Sequence, residues 1–423
     1  MKRKLALMLM TLLIASSILC FAGSNKTIST ASSTNQLYWG QRGYNASFDD
    51  SVSWGAYQSV SLAYSQATGG AFFIMADNNA LFSGNNSDIS SIDLPSGAAL
   101  WSNSYGLVLR SWSDCGGYIF AGSNEGTVIA TQESSGVETW TFPVSGYTSV
   151  SCDGGFVLVN SVTTGLYVLN ATTGKLMWSA PAISGDSDPS SARNGVVYDN
   201  SYFGEDVWAL NESTGSLLWI SPNLGGNIPN VVVVGASMVY AGTSSGDVYG
   251  LNASTGTIIW SFHTGIDTYV DSLQSGVLFA HLNTFSNPTT VYALDANTGK
   301  ELWSYGPIVL KGGTEIAGGQ VFFLDSSYVL HALDVQTGNE IYSFALPGSP
   351  SGGADVFVVG NYVVVSLPSE LYVLSGLPSG GVSVPQFQGS GLGLIVAAAV
   401  GASTLILLRG LRKGYYTVPS TRA

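Results

Sequence analysis

The stretch Val291-Tyr-Ala-Leu-Asp-Ala-Asn-Thr-Gly-Lys-Glu-Leu-Trp303 decides the fold. It recurs at residues 166–178, 207–219 and 248–260, more weakly at 330–342, and in two worn copies at 89–101 and 128–140. The central glycines (Gly97, Gly136, Gly174, Gly215, Gly256, Gly299 and Gly338) follow one another at intervals of 38 to 43 residues. Self-similarity at a fixed period of this size marks a repeat architecture.

Each column of the repeat has a physical task. A hydroxyl always precedes the glycine: Ser96, Ser135, Thr173, Thr214, Thr255, Thr298 and Thr337. Four residues before the glycine stands Asp93, Gln132, Asn170, Asn211, Asn252, Asp295 or Asp334. Short polar side chains of this kind bond nearby backbone in turns, and glycine takes a positive φ without steric cost. Four residues after the glycine comes a large aromatic in an apolar, β-branched run. The unit therefore reads as strand, tight turn, strand.

Two more apolar runs lie upstream of each unit, as at 231–234 and 238–241 before Val248. Four short strands at about ten-residue spacing make one propeller blade of about 40 residues. A helical repeat would need 3.6-residue periodicity and few glycines, whereas this chain has 52.

The pattern [Asp/Asn]-x-x-Thr-Gly-x-x-x-Trp resembles the tryptophan-docking motif of the pyrroloquinoline-quinone (PQQ) type eight-bladed propellers. That group includes quinoprotein alcohol dehydrogenases and a bacterial outer-membrane assembly scaffold. The resemblance covers residues 37–375 and implies an all-β, eight-bladed propeller of four-stranded antiparallel blades. A fold is not an activity, so the resemblance leaves the function open.

Ring closure is legible at the two ends. Leu37-Tyr-Trp39 carries the tryptophan without its turn, while 356–359, 362–366 and 371–374 form three strands with no tryptophan after Gly376. The N-terminal strand is expected to complete the last blade and so remove an exposed strand edge. The blade-docking column then comprises Trp39, Trp101, Trp140, Trp178, Trp219, Trp260, Trp303 and Tyr342. Seven blades with a stray N-terminal strand is the alternative.

The flanks point to a membrane. Lys2-Arg-Lys4 followed by an apolar run to Ala22 has the layout of a signal peptide, 1–22, with an uncleaved anchor as the alternative. A Ser/Thr/Asn-rich flexible segment spans 23–36. A Gly/Ser/Pro linker, 376–390, leads to the uncharged run 391–408, read as a transmembrane helix, and to a basic tail, 409–423. Basic residues beyond the apolar run place the tail in the cytoplasm and the propeller outside.

Charge narrows the partners. Lys2, Arg3, Lys4, Arg409, Arg412, Lys413 and Arg422 supply half of the 14 basic residues, while all 27 acids lie between the tails. So acidic a body repels phosphate backbones, which argues against nucleic acid. The expected partners are a protein or glycan at the cell surface, with the propeller monomeric.

Specific chemistry is sparse. Cys115 and Cys152 occupy near-equivalent places in neighbouring copies, and a disulfide or two buried thiols both fit. The 3 histidines, His263, His281 and His331, share no metal-ligand spacing. The quinone enzymes of the resembling family carry an adjacent Cys-Cys pair, a catalytic Asp and calcium ligands. No two cysteines are adjacent here, so no catalytic, metal or cofactor residue is carried over and no cofactor is expected.

Asn25, Asn45 and Asn85 are candidate glycosylation sites. Asn170, Asn211 and Asn252 also match Asn-x-Ser/Thr, but they stand in the turn column, where a glycan is expected to compete with the turn. The irregular stretch from Gln41, containing Trp54 and Tyr57, is the first guess for a binding surface. Two functions remain: a membrane-anchored extracytoplasmic scaffold, or a quinone- or metal-dependent oxidoreductase using the central channel.

Overall fold

The computed structural model describes residues 38–39, 57–67, 73–77, 80–84, 87–181, 188–200, 204–282 and 288–378. The chain divides into two compact units, Met1–Ser379 and Gly380–Ala423, and every described residue belongs to the first. Residues 1–22, 23–36 and 391–408, with their expected leader, flexible segment and membrane helix, lie outside the described residues, as do Asn25, Asn45 and Asn85.

The first unit is an eight-bladed β-propeller of antiparallel sheets. Blades 1 to 7 occupy residues 73–104, 109–143, 148–180, 191–220, 233–263, 268–308 and 315–345. Blade 8 combines 355–378 with the strand Tyr57–Ala67. Buried Val, Leu, Ile and Phe side chains fill the seams between neighbouring blades; Leu158 of blade 3, for example, packs with Val197 of blade 4.

Two expectations are corrected here. The strand that closes the ring is Tyr57–Ala67, paired along Glu370–Pro378, and not Leu37-Tyr-Trp39. Tyr38–Trp39 instead pairs with Asp77 and Ala76 of blade 1, giving that blade a fifth, short strand. The physical reason is length. A register of nine partners from Tyr57 to Ala67 satisfies far more backbone than two residues can. The last strand also runs on to Pro378, so residues 376–378 are sheet rather than linker.

Candidate interaction surface

The blades are joined by one repeated contact. The indole N–H of Trp101, Trp140, Trp178, Trp219, Trp260 and Trp303 donates to the carbonyl of Glu133, Ala171, Glu212, Ala253, Ala296 and Val335 in the next blade, at 2.6–3.0 Å. Each acceptor is the residue after the Asp/Asn/Gln of the turn column. The ring lies against the turn glycine: a Cβ on Gly256, whose φ is 69°, would come within 2.4 Å of Trp219. Glycine is needed there both for φ and for space.

Tyr64 of the closing strand stands in the same register. It pairs with Val373, as Tyr342 pairs with Ala332 and Trp303 with Ala293. Its hydroxyl donates to Leu94, the residue after Asp93, and its ring lies against Gly97. The eighth member of the docking column is therefore Tyr64, not Trp39.

Blade 8 lacks the Asp-x-x-Thr-Gly turn, because its third strand continues where the others turn. Tyr342 accordingly has a buried hydroxyl with no hydrogen-bond partner among the described residues. Tyr57 fills this seam. Its ring lies over Gly376, its hydroxyl donates to Gly360 at 2.5 Å, and Gln320 of blade 7 bonds both its backbone N–H and its carbonyl. Tyr57 is 2 % exposed and belongs to the core, so it is removed from the guessed binding surface; residues 40–56 lie outside the described residues.

A further column of inter-blade ties shows no common residue type, which is why the sequence hides it. The residue that ends the first strand is Cys115 in blade 2, Asp153 in blade 3, Arg193 in blade 4 and Gln274 in blade 6. The Cα atoms of Cys115 and Cys152 are 6.4 Å apart, within disulfide range. The carboxyl of Asp153 faces that of Glu212 in the next blade. Arg193 donates to the carbonyl of Val234, and Gln274 accepts from the N–H of Gly319.

Burial and the neighbouring Asp153 push Glu212 up to about 7, and burial also raises Asp153. Asp199, buried at the seam of blades 3 and 4, is pushed up to about 6 by burial, although Ser190, Asn160 and the Asn200 N–H bond it.

All three histidines face carboxylates: His263 and Asp247 at 2.8 Å, His281 and Asp271 at 2.8 Å, and His331 with Glu340 at 2.7 Å and Asp325 at 3.3 Å. Thr314, the link residue that leads into blade 7, donates to the same Asp271 oxygen that His281 contacts. A nucleophile would have to bond the imidazole, so this trio is a tie between blades 6 and 7 and not an acyl-transfer site. Among the described residues no group of three or more His, Cys, Asp and Glu is placed to hold a metal ion.

The two faces of the ring differ. One carries the hairpins between first and second strands and the Ser/Thr-Gly turns between third and fourth strands. Every such turn in blades 1 to 7 spans the same length, as between Asn211 and Leu217 or Asp295 and Glu301. The other face carries the blade-to-blade links, which run from four residues at 144–147 to twelve at 221–232. The long link 221–232 is anchored by buried Leu224 and Ile228, with Leu224 N–H bonded to the Glu205 carbonyl and the Asn223 amide bonded to the Glu205 carboxylate. Pro222 and Asn223 project from it to solvent.

The family model described as outer membrane protein assembly factor BamB matches residues 85–179, 125–275 and 287–377. The crystal structure of BamB from Moraxella catarrhalis is similar, at 17% identity over 77% of this chain and 99% of that one, with a TM-score of 0.62. The quinohemoprotein alcohol dehydrogenase from Comamonas testosteroni is 13% identical over 85% of this chain and 84% of that one, with a TM-score of 0.64. The computationally designed Ika8 protein is 15% identical over 77% of this chain and 99% of its own, with a TM-score of 0.61. At such identities the likeness is one of fold. No curated protein matches the chain.

Proposed function

The chain belongs to the family described as outer membrane protein assembly factor BamB, and from that premise we propose that it is a protein-interaction scaffold on the extracytoplasmic side of a membrane. Its partners dock on the face that carries the blade-to-blade links. The observation that carries this reading is the contrast between the faces. Turns held at one length serve the ring, whereas links that differ in length and sequence offer distinct surfaces on a rigid support. The longest, 221–232, is packed from beneath and holds Pro222, Asn223 and the Glu205 carboxylate in fixed positions.

Among the described residues no helix is long and apolar enough to cross a membrane, so the anchor in this proposal is the run 391–408. The groups a quinone site would need are not gathered among the described residues. The two described cysteines, Cys115 and Cys152, sit in different blades, and each described histidine is engaged by a carboxylate.

A photo-crosslinking residue at Asn223, in full-length protein in its own membranes, tests the reading. Discrete protein adducts at Asn223 are expected, with none from the exposed turn-face position Gln336. Adducts at Gln336 alone, or none at Asn223 and at the exposed link residue Ser349, would overturn it.

A further inference from the structure

The turn column is filled by aspartate in blades 1, 6 and 7 and by asparagine in blades 3, 4 and 5. In every one of these copies the turn uses a side-chain oxygen. Asp295 Oδ1 accepts from the Asn297 and Thr298 N–H groups and the Thr298 hydroxyl, and Asp334 Oδ1 does the same with Gln336 and Thr337. Asn170 Oδ1 accepts from the Thr173 N–H and hydroxyl, Asn211 Oδ1 from Ser213 and Thr214, and Asn252 Oδ1 from the Ser254 and Thr255 N–H groups.

The amide nitrogen therefore adds nothing to the turn, since aspartate closes it equally well. The Nδ2 atoms of Asn170, Asn211 and Asn252 make no hydrogen bond among the described residues, and all three residues are partly exposed. This removes the competition expected from the sequence. Modification at Nδ2 leaves Oδ1 where the turn needs it.

The following residues complete an acceptor sequence: Thr172, Ser213 and Ser254 stand two places after each asparagine. A second observation follows the same division at the first position beyond the turn. The residues just beyond the turn are Leu176 and Met177, Leu217 and Leu218, and Ile258 and Ile259, each between 40% and 54% exposed. Where the turn carries aspartate, the first of these positions is Ala99, Glu301 or Glu340, while the second stays apolar and exposed at Leu100 and Leu302, so a pair of large exposed apolar residues is found only beside the asparagines among the described residues. Leu176 pairs with Leu169, the neighbour of Asn170, so each apolar pair begins beside its asparagine. Each of these three blades thus presents a pair of large exposed apolar side chains beside its asparagine, where an attached group can cover them. The C–H faces of sugar rings attached at the adjacent amides supply such a cover.

We propose that Asn170, Asn211 and Asn252 are N-glycosylation sites whose glycans cover the apolar start of the outer strands in blades 3 to 5. The donor is a lipid-linked oligosaccharide phosphate or pyrophosphate. Nδ2 forms a bond to the sugar C1, the C1–O bond to phosphate breaks, and the Nδ2 proton leaves with the lipid phosphate as the departing group. No oxidant or reductant enters. The proposal rests on the extracytoplasmic placement above, where such transfer takes place. It also assigns the turn face to carbohydrate and leaves the link face to partners.

The test is mass spectrometry of glycopeptides from the full-length protein isolated from its source membranes, with protease treatment of intact cells in parallel. Glycan mass on all three asparagines is expected. N170D, N211D and N252D keep the turn acceptor and should each lose one glycan with unchanged melting temperature. The triple variant should bind more of an apolar dye than the glycosylated protein. Unmodified asparagines in a protein that external protease reaches would overturn the sites and leave the placement standing. Unmodified asparagines in a protein that protease does not reach would overturn both. Unchanged dye binding in the triple variant would overturn the covering role.

Discussion

The hydroxyl of Tyr64 donates to the carbonyl of Leu94 at 2.8 Å, so blade 8 holds blade 1 by the bond that tryptophans make elsewhere in the ring. Tyr342, its counterpart one blade earlier, has no such acceptor among the described residues. The two hydroxyls should respond oppositely to deletion. Tyr64→Phe strands a carbonyl and should cost about 1 kcal/mol. Tyr342→Phe removes a buried hydroxyl without a partner and should be neutral or stabilising by up to about 1 kcal/mol. Denaturant melts of both variants decide it, and equal losses would contradict the assignment.

Closure of the ring depends on the strand Tyr57–Ala67 and not on Tyr38–Trp39. Removing residues 57–67 should leave Glu370–Pro378 with a bare edge and yield aggregated protein. Removing 37–40 should change stability little. Tyr57→Ala, which empties the seam over Gly376, should cost about 3–5 kcal/mol in a thermal or denaturant melt.

Cys115 and Cys152 should form a disulfide in an oxidising compartment, as the proposed extracytoplasmic placement supplies. With a sequence separation of 37, the bond should stabilise by about 2–4 kcal/mol through the unfolded chain. Peptide mapping without reduction should recover the linked pair, and a reductant should lower the melting temperature. Two free thiols in the native protein would refute the pairing.

Acid should strengthen the propeller. Glu212, at about 7, and Asp199, at about 6, both lie above the ordinary carboxylate range because they are buried, Glu212 also facing Asp153, and Asp199 also feeling Asp188. A folded-state value above the unfolded one means that the native protein binds more protons between the two. Their contribution is therefore complete below about pH 4 and is lost as pH rises through 6 and 7. Melting temperature should fall across that window. Glu212→Gln, which stays neutral across this window, should flatten the fall without lowering stability at pH 4. A melting temperature that rises from pH 4 to pH 7 would show the opposite linkage.

The sequence makes the blades legible because each repeats one solution to one local problem: a turn oxygen, a hydroxyl, a glycine and an aromatic at fixed spacing. Closure is harder to see because it does not repeat. Tyr64 is invisible as a docking residue until Val373 is placed opposite it, since nothing around it resembles the motif. Trp39 has the motif's aromatic in the wrong strand. The inter-blade ties fail for a different reason. Cys115, Asp153, Arg193 and Gln274 share a position but not a chemistry, so only their geometry unites them. The link face is least legible of all, because length variation in loops carries no periodic signal.

The bond from Tyr57 to Gly360 joins residues 303 apart in the chain, and this sets the order in which the molecule is made. Blades 1 to 7 are built from strands that follow one another closely, and each can form as its own segment emerges. The strand Tyr57–Ala67 is synthesised before the consecutive strands of all seven and must wait, unpaired, until Glu370–Pro378 arrives. Contacts of such separation are the slow ones in folding. A chain cut short anywhere before Glu370 leaves that strand without its partner, so the closed ring certifies that synthesis has reached its last blade.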